Sequence, residues 1–367
     1  MSFPHDRCHV RAFSLALEDL PPRRRFLFAA NPPSRAGAGD VRALVTKSYG
    51  LRYSDVPGMY HYAKLASTLA GALRMGDPDL RDAKGEAWMQ HGNVLRIFAH
   101  FRDSQRSLTT AEEELSEGSL RPDLQALLWE LRGSLYRDWR KFSLADPCLA
   151  IALDYHSHAG HLDDANRCLV ARAMTLGYGG SPALAVSLAE RAVRGIDPAA
   201  RPGLAVAAVQ ALCWFLVDCG DAKRALACYV DGEPLFNRQT DELVQIHRSW
   251  LRGHIDNALG LFSSAETLYR RAAAGFARHD LAFDRALVLL DLCMPLAEQD
   301  QAEDLAGVAA EILPEFERIG IGREALASRL LLSAAQRATV ANRLKGLRKV
   351  SRLVQRTLPW PRKLPEL

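Results

Sequence analysis

The sequence predicts an all-α protein built as a solenoid of about seven antiparallel helical hairpins. Three observations lead there. Apolar residues recur at i, i+3, i+4 and i+7 in text dominated by Ala, Leu, Arg and Glu, and Gly, Pro or Asp interrupts it at intervals near 20 residues. Strand signals are scarce, with no Asn-Gly or Asp-Gly pair between alternating apolar runs and few β-branched clusters. Small residues return at a period of about 40 residues, the length of one hairpin and its turns.

In chain order, residues 1–38 read as an N-terminal helix and Pro-rich connector, 39–335 as the solenoid, and 336–367 as a basic capping helix and tail. A degenerate hairpin from Val41 to Arg74, with Ala63 and Ala66 as its small pair, opens the array. Aligned segments then follow from near Gly85, Ala126, Arg167, Val206, Ile246 and Ala286. Each has a small residue in its first helix: Gly92, Gly133, Ala173, Cys213, Gly253 and Cys293. The second small slot holds Ser104, Ala145, Ala185, Ala225, Ala265 and Leu305, and the third Ala111, Ala152, Ala192, Gly232, Ala272 and Ile312. Between these two lies an apolar slot with Leu108, Leu149, Ala189, Tyr229, Tyr269 and Ala309. Antiparallel helices approach to roughly 8 Å only where side chains are small, and a larger neighbour then fills the gap.

With Trp88 and Trp129 four residues ahead of the first small slot, and Leu95, Tyr136, Leu176, Leu216 and Leu296 three residues after it, the pattern resembles the tetratricopeptide repeat family over roughly residues 77–320. It departs in its longer period, in Asp256 at an apolar slot, and in Leu305 and Ile312 at small slots. The resemblance implies a right-handed superhelix of the expanded kind found in bacterial regulators. It also implies a concave groove lined by the first helix of each hairpin.

Turn chemistry agrees with the register. Gly180, Gly220 and Gly260 fall where a left-handed residue ends the first helix, and Ser181-Pro182 reads as N-cap and N1 of the next.

Composition is that of a cored protein, with 48% apolar and 25% charged residues. The longest uncharged runs, Ala173–Ala189 and Pro202–Val217, fall short of the roughly 20 apolar residues of a membrane span. Arg23-Arg24-Arg25-Phe26 resembles a twin-arginine signal but runs into Asn31-Pro32-Pro33 without an apolar stretch, so the protein is expected to be cytoplasmic. Seven cysteines, none spaced C-x-x-C and most in apolar helical text, read as reduced core thiols. The net charge of +4 conceals a mildly acidic body and a tail with ten basic and no acidic residues between Ala325 and Pro365.

Candidate chemistry is thin. His156, His158 and His161 lack the i, i+4 histidine pair of a zinc-protease helix and read as a solvated turn, so no metal is expected. Gly177–Ser181 lacks the Gly-Lys-Ser/Thr core of a phosphate loop and reads as a structural turn. No nucleophile elbow, zinc-protease or kinase signature occurs, so neither an enzyme nor a cofactor is expected.

The expected function is therefore a non-catalytic protein- or peptide-binding scaffold, or the sensory half of a bacterial regulator. The resemblance carries its groove positions onto Met89, Asn93 and Arg96, then Glu130, Ser134 and Arg137, then Val170 and Met174. Gln210, Trp214, His247, Trp250, His254 and Asn257 follow, and the spacing of His247, Trp250 and His254 puts all three on one helical face. The two tryptophans read equally as partner anchors and as core between hairpins. The carboxylate clamp of chaperone-binding relatives needs a Lys at Met89; only Asn93 matches, and that partner is not expected. The alternative is a nucleic-acid-associated regulator touching phosphates through Arg343, Lys345, Arg348, Lys349, Arg352 and Arg356; the same helix reads first as a solenoid cap, and it would also suit an anionic membrane surface or an acidic partner.

Overall fold

The computed structural model describes residues 17–341 except 18, 53 and 75. The basic positions Arg343, Lys345, Arg348, Lys349, Arg352 and Arg356 lie outside the described residues. Among the described residues the chain is helical throughout, with no strand. It divides into two compact units between Leu135 and Tyr136.

The first unit contains α1 (Pro22–Ala30), α2 (Ala38–Gly50), α3 (Val56–Ala72), α4 (Pro78–Ile97), α5 (Phe101–Ser116) and most of α6 (Pro122–Asp138). Each helix packs on its neighbour in the chain from α2 to α5, α4 also reaches back to α2, and α1 lies on α3. Val41, Leu44, Leu65, Ala66, Leu69, Ala83 and Ala87 make its main core. The expected small pair, Ala63 and Ala66, is fully buried. A polar seam crosses this core: Gln90 Nε2 donates to Ser48 Oγ at 2.9 Å, and Ser48 Oγ donates to the Met59 carbonyl at 2.8 Å.

The second unit continues with α7 (Phe142–His158), α8 (Leu162–Tyr178), α9 (Pro182–Gly195), α10 (Pro202–Asp218), α11 (Ala222–Asp231), α12 (Glu233–Asn237), α13 (Glu242–Ala258), α14 (Phe262–Arg278), α15 (Ala282–Glu298), α16 (Ala302–Ile319) and α17 (Gly322–Ala341). Successive helices form hairpins, and the first helices also touch one another, α8 on α10, α10 on α13 and α13 on α15. The result is two layers of helices stacked in chain order. A separate contact joins distant parts of this unit. Arg140 Nε donates to Glu324 Oε1 at 2.8 Å with both side chains buried, and Arg323 Nη1 donates to the Tyr178 carbonyl at 3.3 Å.

The small-residue register predicted from sequence is where the helices meet. In the first unit Ser104 Oγ donates to the Gly92 carbonyl at 2.7 Å, and a Cβ on Gly92 would stand 3.0 Å from Leu108. In the second, a Cβ on Gly253 would stand 2.9 Å from the Tyr269 ring, the large residue expected to fill that gap. Ala145, Ala152, Ala185, Ala192, Ala225, Ala265 and Ala272 are wholly buried. So are the irregular Leu305 and, nearly, Ile312. Asp256, the charge at an apolar slot, is buried but satisfied, accepting from Arg252 Nε and Ser264 Oγ at 2.7 Å each.

Turns follow one grammar. Left-handed residues occur at Ala99, Leu120, Arg140, Gly160, Gly180, Gly220, Gly260, Asp280, Asp300 and Gly320, spaced near 20 residues apart except on either side of Gly220, where the interval doubles. At most of them the next N–H reaches back to a carbonyl five residues earlier, as from His161 to His156 at 2.9 Å and from Ser181 to Leu176 at 2.8 Å. This closure satisfies the last carbonyls of one helix while redirecting the chain into the next. Ser181 takes the N-cap position and Pro182 opens α9, but the Ser181 hydroxyl makes no capping hydrogen bond. The second helix of one hairpin breaks at Gly232, ahead of Pro234, into α11 and α12.

Cys148, Cys168, Cys213 and Cys293 are buried free thiols, and burial drives the Cys213 and Cys293 pKa values well up. Cys219, in contrast, is exposed. No helix among the described residues is long and apolar enough to cross a membrane.

Two outcomes test this packing. Ala265→Phe overfills the α13–α14 contact and is expected to lower unfolding free energy by about 1–3 kcal/mol in urea titrations; an unchanged midpoint would contradict the register. His91 sits beside Trp88 and Tyr60, and burial, with Lys64 adding to it and Asp103 opposing, lowers its pKa to about 4. The folded state therefore resists a proton that the unfolded chain accepts below its ordinary value. Stability is complete above about pH 6.5 and falls as the pH drops from there towards 4. Thermal melts of His91→Asn are expected to show a flatter decline across that interval than the wild type.

Candidate partner-binding layer

The sequence-predicted site residues distribute over both units. In the first, Asn93 and Arg96 lie on α4, and Arg96, itself buried, donates from Nη2 to Asn93 Oδ1 at 2.6 Å. Glu130 on α6 is buried. In the second, Arg137 is buried beside Asp138, donating to it from Nε at 3.0 Å, with Nη1 at 3.9 Å from Met174 Sδ.

The remaining six residues lie on α10 and α13, which pack on each other. α10 is apolar around its whole circumference, and from Leu204 to Val217 every residue except Val209 is buried. Gln210 and Trp214 lie one turn apart on it. His247, Trp250 and His254 project from α13, as their spacing predicts, with half-buried Asn257 following.

The rings form a continuous ladder. His254 stacks on Trp214 at 4.4 Å between centroids and 17° between planes, and Trp214 meets Trp250 edge-on at 5.5 Å. Trp250 meets Phe276 of α14 at 5.8 Å, and Phe276 meets His247 at 4.9 Å. Carboxylates hold the polar handles of the ladder: Trp250 Nε1 donates to Asp291 Oδ2 at 2.7 Å, and His254 Nε2 lies 3.3 Å from Asp218 Oδ1. Offset and edge-on ring pairs each add about 0.5–1.5 kcal/mol beyond area burial, and a hydrogen bond to a charged group about 1.5–3 kcal/mol.

Trp214 is 1% and Trp250 0% exposed, so both are packed between hairpins in this state. Gln210 is also 0% exposed, and neither its amide nitrogen nor its amide oxygen has a hydrogen-bond partner. A buried amide left in this condition costs about 1–3 kcal/mol, and the groups that satisfy it are a carbonyl and an N–H presented together.

Sequence reasoning missed Asp291, Asp218 and Phe276. Asp291 left a signal, a single charge inside the apolar run Leu287–Ala297, and that run supplies the buried carboxylate. Phe276 and Asp218 left none, because their roles depend on which helices become neighbours.

No protein-family model matches the chain, and neither does the sequence of any curated protein. Solved structures do. A Rap protein complexed with competence and sporulation factor superposes with a TM-score of 0.65 at 13% identity, covering 87% of each chain. NprR in complex with its cognate peptide NprX gives 0.55 at 12% identity over 87% of this chain and 89% of that one. The apo form of the quorum sensor NprR from B. thuringiensis gives 0.56 at 14% identity over 95% and 97%. Small residues at helix contacts, left-handed turns at multiples of about 20 residues and these superpositions agree, and the chain folds as a tetratricopeptide-like helical-repeat protein.

Proposed function

We propose that this chain is a non-catalytic, peptide-binding sensory module of a bacterial regulator, and that its ligand occupies the layer formed by α10 and α13. The observation carrying this reading is Gln210, a fully buried amide with no hydrogen-bond partner, one turn from Trp214. An extended peptide offers a carbonyl and an N–H to such an amide, and aromatic side chains with acidic handles provide anchors beside it. Support also comes from the similar structures, two of which hold competence and sporulation factor and the peptide NprX. Because the tryptophans are buried, the ligand enters by widening the stack. Each hairpin touches mainly its neighbours, so small changes at several interfaces add up to that opening.

The test is selection of linear peptides from a displayed library on the immobilised full chain, with washes at about 0.1 and 0.4 M salt. Enrichment that survives the higher salt and is lost with Gln210→Leu supports the reading. Equal enrichment on Gln210→Leu, or none on the wild type, overturns it. Gln210→Leu is further expected to leave unfolding free energy unchanged or higher, since it removes an unsatisfied amide, while weakening peptide capture at least tenfold. Trp250→Ala is expected to cost about 3–5 kcal/mol in denaturant unfolding, because it empties a core site and removes a hydrogen bond to the buried Asp291.

A further inference from the structure

The turn between α7 and α8 brings together three side chains that the sequence reading assigned to solvent or left aside. His156 ends α7 and is 4% exposed; His161 is the exposed N-cap of α8; Asp164 lies in the first turn of α8. The left-handed Gly160, at φ 72°, folds the chain back between them. One donor atom from each residue falls within 4.8 Å of the other two. His158, by contrast, points away, with its Nδ1 2.8 Å from the Asp154 carbonyl and its side chain 79% exposed.

We propose that His156, His161 and Asp164 form a divalent-metal site of the two-histidine, one-carboxylate type, suited to Zn2+. Two imidazoles and a carboxylate, with one further position open to water, are a ligand set that zinc accepts. Bonds of roughly 2.0–2.1 Å in tetrahedral geometry put donors about 3.4 Å apart, so the three groups need to close by a little over an ångström. The exposed His161 ring, which has the Tyr155 and His156 rings at 6.1 and 5.9 Å between centroids, is the member that moves, while His156 is held by burial. Arg167 Nη1 lies 2.5 Å from Asp164 Oδ1, and the metal takes the carboxylate from this arginine or shares it. Bound zinc links the last turn of α7 to the first turn of α8, across the boundary between two hairpins. The site does not depend on the peptide-binding reading.

The experiment titrates metal-stripped full-length protein with Zn2+ by calorimetry and with Co2+ by visible absorption. His5, Cys8 and His9 offer a separate donor group near the N-terminus, so the site is read as the difference between wild type and variants. The expected result is that His161→Ala and Asp164→Asn, both changes of accessible side chains, weaken one zinc equivalent at least tenfold. They should also abolish its share of the tetrahedral cobalt spectrum and of the zinc-dependent rise in melting temperature. His158→Ala leaves all three unchanged. Zinc uptake that is identical in His161→Ala, or lost equally in His158→Ala, overturns the assignment. So does dependence on Cys168→Ser without dependence on His161, since Cys168 also lies within 4.8 Å of His156.

Discussion

Close approach of paired helices at a small side chain is the constraint on which the rest of this molecule depends. At Gly92 the contact is backbone against Leu108 with Ser104 hydrogen-bonded to the carbonyl, and at Gly253 it is backbone against the Tyr269 ring. A methyl group at either point would stand well inside van der Waals contact with its neighbour, so the neighbour would have to give way. Once the hairpins of the second unit pack this tightly, α8, α10, α13 and α15 are brought against one another in turn, and α10 becomes surrounded. The aromatic ladder exists only because α10 and α13 are held at that separation. The same closeness encloses the amide of Gln210.

The turns impose the complementary constraint. A helix ending in a single left-handed residue leaves at a fixed angle, so the direction of the next helix is set locally. Glycine fills half of these positions and Ala99, Leu120, Arg140, Asp280 and Asp300 fill the others. A side chain in that region costs on the order of 1 kcal/mol, which the hairpin contacts on either side outweigh.

The sequence therefore revealed the hairpin register clearly, because steric exclusion leaves Gly, Ala, Ser or Cys at most of the close contacts, with Leu305 and Ile312 the exceptions. Turns at Gly180, Gly220 and Gly260 were equally visible. Those at Arg140 or Asp300 were not, since a non-glycine residue carries no mark of its left-handed backbone. The site was legible in part. Spacing along α13 put His247, Trp250 and His254 on one face, but their enclosure against Phe276 and Asp291 required knowing which helices become neighbours. The convergence of His156, His161 and Asp164 was hidden for a related reason. Helical spacing rules do not extend across Gly160, where the chain reverses.

The buried pair of Arg140 and Glu324 joins residues 184 positions apart within the second unit. Repeat arrays ordinarily behave as one-dimensional chains, in which an end can fray without disturbing the middle. Here α17 cannot peel away without breaking a buried ion pair with the start of the second unit. The second unit is in this respect a closed loop. Its folding has long-range cooperativity that an open stack lacks, and a change of curvature in the hairpins between Arg140 and Glu324 is felt at that ion pair.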